Sequence, residues 1–132
     1  MLPYLHQGDT APNDLTPYWE ALRHAAFNRW RYGADDSWIR ALIEHIINTG
    51  YSRRLYPYAS IGALLTSIPK NGCINYERTF KAFYDNEQEQ VVLVILSPIS
   101  APRLVMCAVS DTIRTFEQLL NEHSDWSSAM RF

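Results

Sequence analysis

The side chains in this sequence that could do chemistry are few and scattered. Four histidines, His6, His24, His45 and His123, include no pair at i and i+4, the spacing that sets two imidazoles on one helical face for a metal. Glu44-His45 and Glu122-His123 are direct neighbours, and neighbours on a helix point apart. Cys73 and Cys107 are too few and too distant for a zinc site or a disulfide scaffold. Neither has the helix N-terminal setting that activates a thiol, so both read as reduced small hydrophobes on strands. Glu77, Glu87 and Glu89 could in principle work as an acid and base pair, but they fall on a solvated strand and a turn, where exposed carboxylates are ordinary. No phosphate loop or nucleophile motif is present, so no catalytic residue, metal ligand or cofactor is assigned.

Two clusters remain as binding surfaces. Arg29-Trp30-Arg31-Tyr32 and the run from Tyr51 through Arg53 and Arg54 to Tyr58 mix guanidinium groups with aromatic rings, which suits phosphate contact and base stacking. Arginine near a helix C-terminus also complements the helix dipole without any partner. The charge balance favours that plainer role: residues 1–70 hold seven Lys or Arg against six Asp or Glu, and residues 71–132 hold five against eight. The other cluster is acidic, Asp85, Glu87 and Glu89 at a turn, with Phe83 before it and Glu77 on the strand leading there. Charged rims steer encounter, and an exposed ring among them can anchor a partner. These five are the predicted partner-binding residues; Arg29, Arg31, Arg53 and Arg54 are the alternative, nucleic-acid contacts.

The elements that must hold these groups follow from periodicity. Thr16-Pro17 starts a helix running to about Arg31, with Trp19, Leu22, Ala26 and Trp30 on its inner side. Asp35 or Asp36 starts a second helix whose stripe is Trp38, Ile39, Leu42, Ile43, Ile46 and Ile47, closed by Gly50. Tyr58 to Ile68 forms one strand, or two broken at Gly62, and Pro69-Lys70-Asn71-Gly72 is a turn. Cys73 to Tyr84 alternates, with Ile74, Tyr76, Phe80, Ala82 and Tyr84 on one face. The unbroken run Val91–Leu96 reads as a strand covered on both faces, far short of the roughly 20 residues that cross a bilayer. A last strand covers Arg103 to Val109, and Ser110 or Asp111 caps a helix facing inward through Ile113, Phe116, Leu119 and Leu120. The expected fold is α+β: two N-terminal helices, a four-stranded mainly antiparallel sheet and a C-terminal helix. Residues 1–132 form one domain, with 1–15 and 124–132 irregular.

Composition excludes several classes. The 132 residues are 47% hydrophobic and 20% charged, neither disordered nor collagen-like, and enough for one core without staples. A net charge of −2 supplies no global pull towards nucleic acid or anionic lipid. The opening residues lack a basic stretch followed by an apolar one, so no signal peptide is expected and the chain reads as cytoplasmic.

The order of two helices, LYPYASIGALLTS, the hairpin FKAFYDNEQEQVVLVILSP, a further strand and the helix DTIRTFEQLLNEH resembles the layout of small immunity-type proteins of bacterial toxin systems. The resemblance covers roughly residues 55–123 and implies a soluble α+β domain that neutralises a cognate toxin, often a nuclease, by occluding it. It carries over no functional residue. The expectation is therefore a non-enzymatic, protein-binding inhibitor of immunity type. The alternatives are a nucleic-acid-associated adaptor, a phage-type inhibitor of a defence system, or a small enzyme with an unrecognised site.

Overall fold

Antiparallel strand pairing organises the molecule, and the computed structural model describes it for residues 4–29, 37–60 and 63–130, with backbone alone at 25–29, 59, 60 and 100. The elements are α1 (Thr16–Arg29), α2 (Ser37–Asn48), β1 (Tyr56–Ser60), β2 (Ala63–Ser67), β3 (Thr79–Asp85), β4 (Gln90–Ser97), β5 (Ser100–Cys107), α3 (Thr112–Glu122) and α4 (Ser124–Ala129). The five strands pair in chain order, each antiparallel to the next. The α+β class is as expected, but the sheet has five strands rather than four, because Tyr56–Ser60 and Ala63–Ser67 are separate strands in antiparallel register. Residues 61 and 62, Gly62 among them, lie outside the described residues.

Alternation gives the sheet two faces. Phe80 and Ala82 of β3 and Val91, Leu93 and Ile95 of β4 point inward, each fully buried with the α2 stripe of Trp38, Ile39, Leu42, Ile43 and Ile46. The expected helix-two stripe is thus real, and burying each of its aliphatics contributes roughly 1.5–3 kcal/mol, more than helix propensity gives. Gly50 ends that helix with φ 84°, a left-handed conformation that suits glycine. From α3 come Thr112, Thr115, Phe116, Leu119 and Leu120; Ile113, expected inside, is only half buried, since the stripe begins one position earlier, at Thr112.

Residues 124–132 were expected to be irregular, yet 124–129 form α4. Trp126 at its centre is completely buried, and its Nε1–H donates to Leu96 O at 3.2 Å. Six residues are too few to show a helical period, so the indole's burial fixes what the pattern could not.

The expected strand from Cys73 to Tyr84 begins only at Thr79. Asn71-Gly72, with φ of 53° and 78°, makes a two-residue turn closed by mutual Lys70 and Cys73 backbone hydrogen bonds of 2.7 and 3.0 Å. Cys73 therefore sits beside this turn, half exposed, and Cys107 is buried on β5; both thiols are free. The N-terminal segment then pairs with residues 72–74 through Gly8 N–H to Ile74 O, Ile74 N–H to Asp9 O and Ala11 N–H to Gly72 O. It carries Leu5 and Leu15 onto Tyr56 and Ile74, a second small core.

Helix α1 flanks the β1 edge, placing Trp19 in the main core and Tyr18 against the second. The Trp19 Nε1–H donates to Leu55 O at 2.7 Å, tying helix to strand entry. The residues that start α1 act differently from expectation. Asp14 Oδ1 accepts the Thr16 N–H at 2.9 Å, while Thr16 Oγ1 lies 2.8 Å from Ser52 Oγ and is not a cap. Asp111 likewise makes no cap hydrogen bond to α3; its carboxylate meets Arg114 at 2.9 Å. Ala26 has no described side chain, and Trp30, Asp35 and Asp36 lie outside the described residues.

Candidate functional site

Among the described residues no helix lies across the outer face of the sheet. Register aligns two rows across it: Tyr58, Leu65, Lys81, Val94 and Leu104, then Ser60, Ala63, Phe83, Val92 and Met106. The N-terminal segment covers only the β1 corner, where Tyr56 Oη accepts the Leu5 N–H at 3.0 Å and Tyr76 O–H donates to Leu5 O at 2.7 Å. Burial raises the Tyr56, Tyr58 and Tyr76 hydroxyl pKa values above the usual phenol value, so this corner stays neutral at physiological pH. Towards β5 the cover stops. Leu104 is 60% exposed and Met106 38%, on a strand whose other edge pairs with nothing in the sheet. Lys81 Nζ lies 5.1 Å from the Phe83 ring centroid, within cation–π range.

The acidic tip continues this face. Asp85 is two residues beyond Phe83 and so on the same side, and its Oδ1 accepts N–H groups from Glu87 at 2.9 Å and Gln88 at 3.3 Å. Glu87 and Glu89 are exposed on that turn, Glu89 with φ 54°. Phe83, Asp85, Glu87 and Glu89 are thus brought together. Glu77 is not: it precedes β3 at the opposite end, where the first strand residue, Thr79, is about 20 Å from Asp85 at a rise of roughly 3.3 Å per residue. Thr79, expected on the solvated face, is buried beneath Tyr58 and Tyr76; its Oγ1 donates to Tyr76 O at 2.7 Å.

One polar cluster escaped sequence reasoning. His45 Nε2 and Glu117 Oε1 are 2.6 Å apart, and Tyr51 O–H donates to Glu117 Oε2 at 3.0 Å. Burial first, then Glu117's hydrogen bond and charge, push the Tyr51 hydroxyl up to about 12. A phenol so raised stays protonated at neutral pH and so has no phenolate to act as a base, and among the described residues no hydroxyl or thiol is hydrogen-bonded to the His45 ring. The cluster therefore straps α2 and the turn after it to α3. Its members lie far apart in the chain, so no spacing could have announced it.

A third region is a cleft of about 570 Å³ at the end of the sheet opposite the acidic tip. Arg53 and Arg54, exposed before β1, share it with Arg78 and with Asp125 of α4. Asp125 is held by Ser97, whose Oγ–H donates to Oδ2 at 2.7 Å, and Arg78 Nε lies 3.5 Å from the same oxygen. Arg31 lies outside the described residues and the Arg29 side chain is not described, so the two basic clusters cannot be joined into one surface.

Among the described residues no group of three His, Cys, Asp or Glu could hold a metal ion, and no helix is long and apolar enough to cross a membrane. No family model matches the chain, and no curated protein or solved structure matches it.

Proposed function

We propose that this protein is a non-enzymatic inhibitor of immunity type, which neutralises a cognate toxin by docking the helix-free face of its sheet onto it. The observation that carries this reading is the exposed pair Leu104 and Met106, set in register with Val94 and Val92 and, one strand further, with Lys81 and Phe83. Apolar and aromatic side chains inside a charged rim are the composition of a protein interface core. The rim names the occupant's chemistry. Asp85, Glu87 and Glu89 adjoin the Phe83 row, so the complementary partner presents a basic surface there, as a nuclease does where it meets phosphates.

Docking uses the face rather than the free edge. Pro102 offers no N–H to an incoming strand and Arg103 places an exposed charge on β5, both devices that discourage edge pairing. Free thiols at Cys73 and Cys107 suit a reducing cytoplasm, where such antidotes act.

Association kinetics with a toxin found encoded beside this gene provide the test. Charge reversal at Glu87 and Glu89 slows association by roughly tenfold at low salt and less at high salt, whereas Phe83→Ala mainly speeds dissociation. Unchanged rates in both variants, with the complex intact, place the interface elsewhere.

A further inference from the structure

The turn that receives the N-terminal segment is also a place where the backbone can react with its own side chain. Of the chain's seven asparagines, Asn71 alone precedes a glycine, and asparagine is a thermolabile residue. Both Asn71 and Gly72 are exposed, and a Cβ added at Gly72 would meet nothing within 4 Å. Among the described residues Gly72 N–H donates no hydrogen bond and the Asn71 carboxamide makes none. The two groups that would close a cyclic imide, the Gly72 amide nitrogen and Asn71 Cγ, are therefore accessible and unengaged. Every other asparagine precedes a residue whose side chain crowds that nitrogen.

Closing that ring rotates the Asn71 Cα–C bond, so the turn has to open first. What closes it is the pair of Lys70 and Cys73 backbone bonds at 2.7 and 3.0 Å. Lys70, Asn71 and Gly72 are all exposed, so opening here strips no side chain from a core. A surface turn held in this way opens locally far more often than the domain unfolds.

We propose that Asn71-Gly72 is a self-modifying site, whose conversion to isoaspartate frees the N-terminal segment from the sheet. The Gly72 nitrogen, its proton lost to hydroxide, attacks Asn71 Cγ, and the tetrahedral adduct expels the side-chain nitrogen as ammonia, leaving a five-membered imide. Water then adds to either imide carbonyl and breaks that carbon's bond to the ring nitrogen, giving aspartate or isoaspartate. Nothing else is consumed. Isoaspartate carries the main chain through its side-chain carbons, which adds a methylene to a two-residue turn whose geometry tolerates no such insertion. Cys73 then no longer meets Lys70 in both bonds, and residues 72–74 lose the register in which they hold Gly8, Asp9 and Ala11. Because the segment carries Leu5 onto Tyr56 and Tyr76, its release uncovers the β1 corner of the outer face. The reaction needs no partner, so it stands or falls apart from docking.

Peptide mapping by mass spectrometry tests it, on the protein aged at physiological temperature in mildly acidic and mildly alkaline buffer, beside the same chain aged in urea and an Asn71→Gln variant. The expected result is a gain of one mass unit on the Asn71 peptide, at least roughly tenfold faster than at any other asparagine and faster in alkali. Isoaspartate appears at that position, read by methyl transfer with an isoaspartate-specific methyltransferase, and is absent from Asn71→Gln. In the converted protein hydrogen exchange at the Ala11 and Ile74 amides accelerates at least roughly tenfold, while Leu93 and Phe116 keep their protection. Conversion no faster than at the other asparagines, or more than about a hundredfold slower than in urea, would mean that the turn shields Asn71 and would overturn the proposal. Unchanged exchange at Ala11 and Ile74 after conversion refutes release of the segment, and lost protection at Leu93 refutes a local effect.

Discussion

The two faces of the β3–β5 sheet are made from similar residues and meet different surroundings. Inward, Phe80, Ala82, Leu93 and Ile95 meet α2, α3 and Trp126, and all are fully buried. Outward, Phe83, Val94, Leu104 and Met106 are hardly more polar, yet no helix among the described residues covers them and Leu104 keeps 60% of its surface. Composition alone does not separate them; topology does. Among the described residues α2, α3 and α4 pack on one side, while the N-terminal segment and Tyr18 of the edge helix α1 reach the other, at the β1 corner. An apolar face left open at one end of a sheet is a cost in water unless something occupies it.

Phe80 and Phe83 put that difference to its sharpest test, three residues apart on one strand. Phe80→Ala should destabilise by roughly 3–5 kcal/mol, because it empties a site lined by Phe116 and Trp126 at ring separations of 5.0 and 6.2 Å. Phe83→Ala should cost under about 1 kcal/mol in urea denaturation. Equal losses would erase the distinction between the faces.

Alkaline titration probes the strap that holds α2 and α3 to the inner face. The Tyr51 pKa is raised from 10.0 in the unfolded chain to about 12 in the fold, so its contribution is complete below pH 10 and disappears as the pH rises through about 12. Tyr51→Phe should flatten the fall of stability between those values, read from denaturant melts. A curve of unchanged shape would mean that Tyr51 ionises as it does unfolded.

The inner face also has a flaw. Thr66, opposite Phe80 and 1% exposed, has a buried Oγ1 without a hydrogen-bond partner among the described residues. Thr66→Val keeps the shape and removes the orphan, so it should gain about 1 kcal/mol. On the open face, Leu104→Ser and Met106→Ser should each stay within about 0.5 kcal/mol of the parent while weakening partner binding.

Legibility in the sequence followed the same division. The α2 stripe, the Val91–Leu96 run and the Asp85–Glu89 turn were readable because each is long, periodic or strongly polar. Helix α4 was not, since Trp126 is the one buried side chain of its short span, with Met130 just beyond its end. Tyr76 looked like strand, but the Asn71-Gly72 turn and pairing with the N-terminal segment hold it outside the ladder. Phe83 with the acidic tip was recoverable from alternation, whereas Leu104 and Met106 were missed as an exposed patch. Nothing local in RLVMC tells an open apolar face from a covered one; that depends on which side the helices choose. The arginine cleft was invisible for a related reason, as Arg78 and Asp125 meet only through the fold.

Survival of cells co-expressing a toxin found encoded beside this gene tests the proposed docking face most directly, comparing the parent chain with a Leu104→Asp/Met106→Asp variant. The expected result is protection and co-purification by the parent, and loss of both by a variant that melts within about 2 °C of it. Protection undiminished by that variant, or no binding between the parent and any neighbouring product, would contradict it.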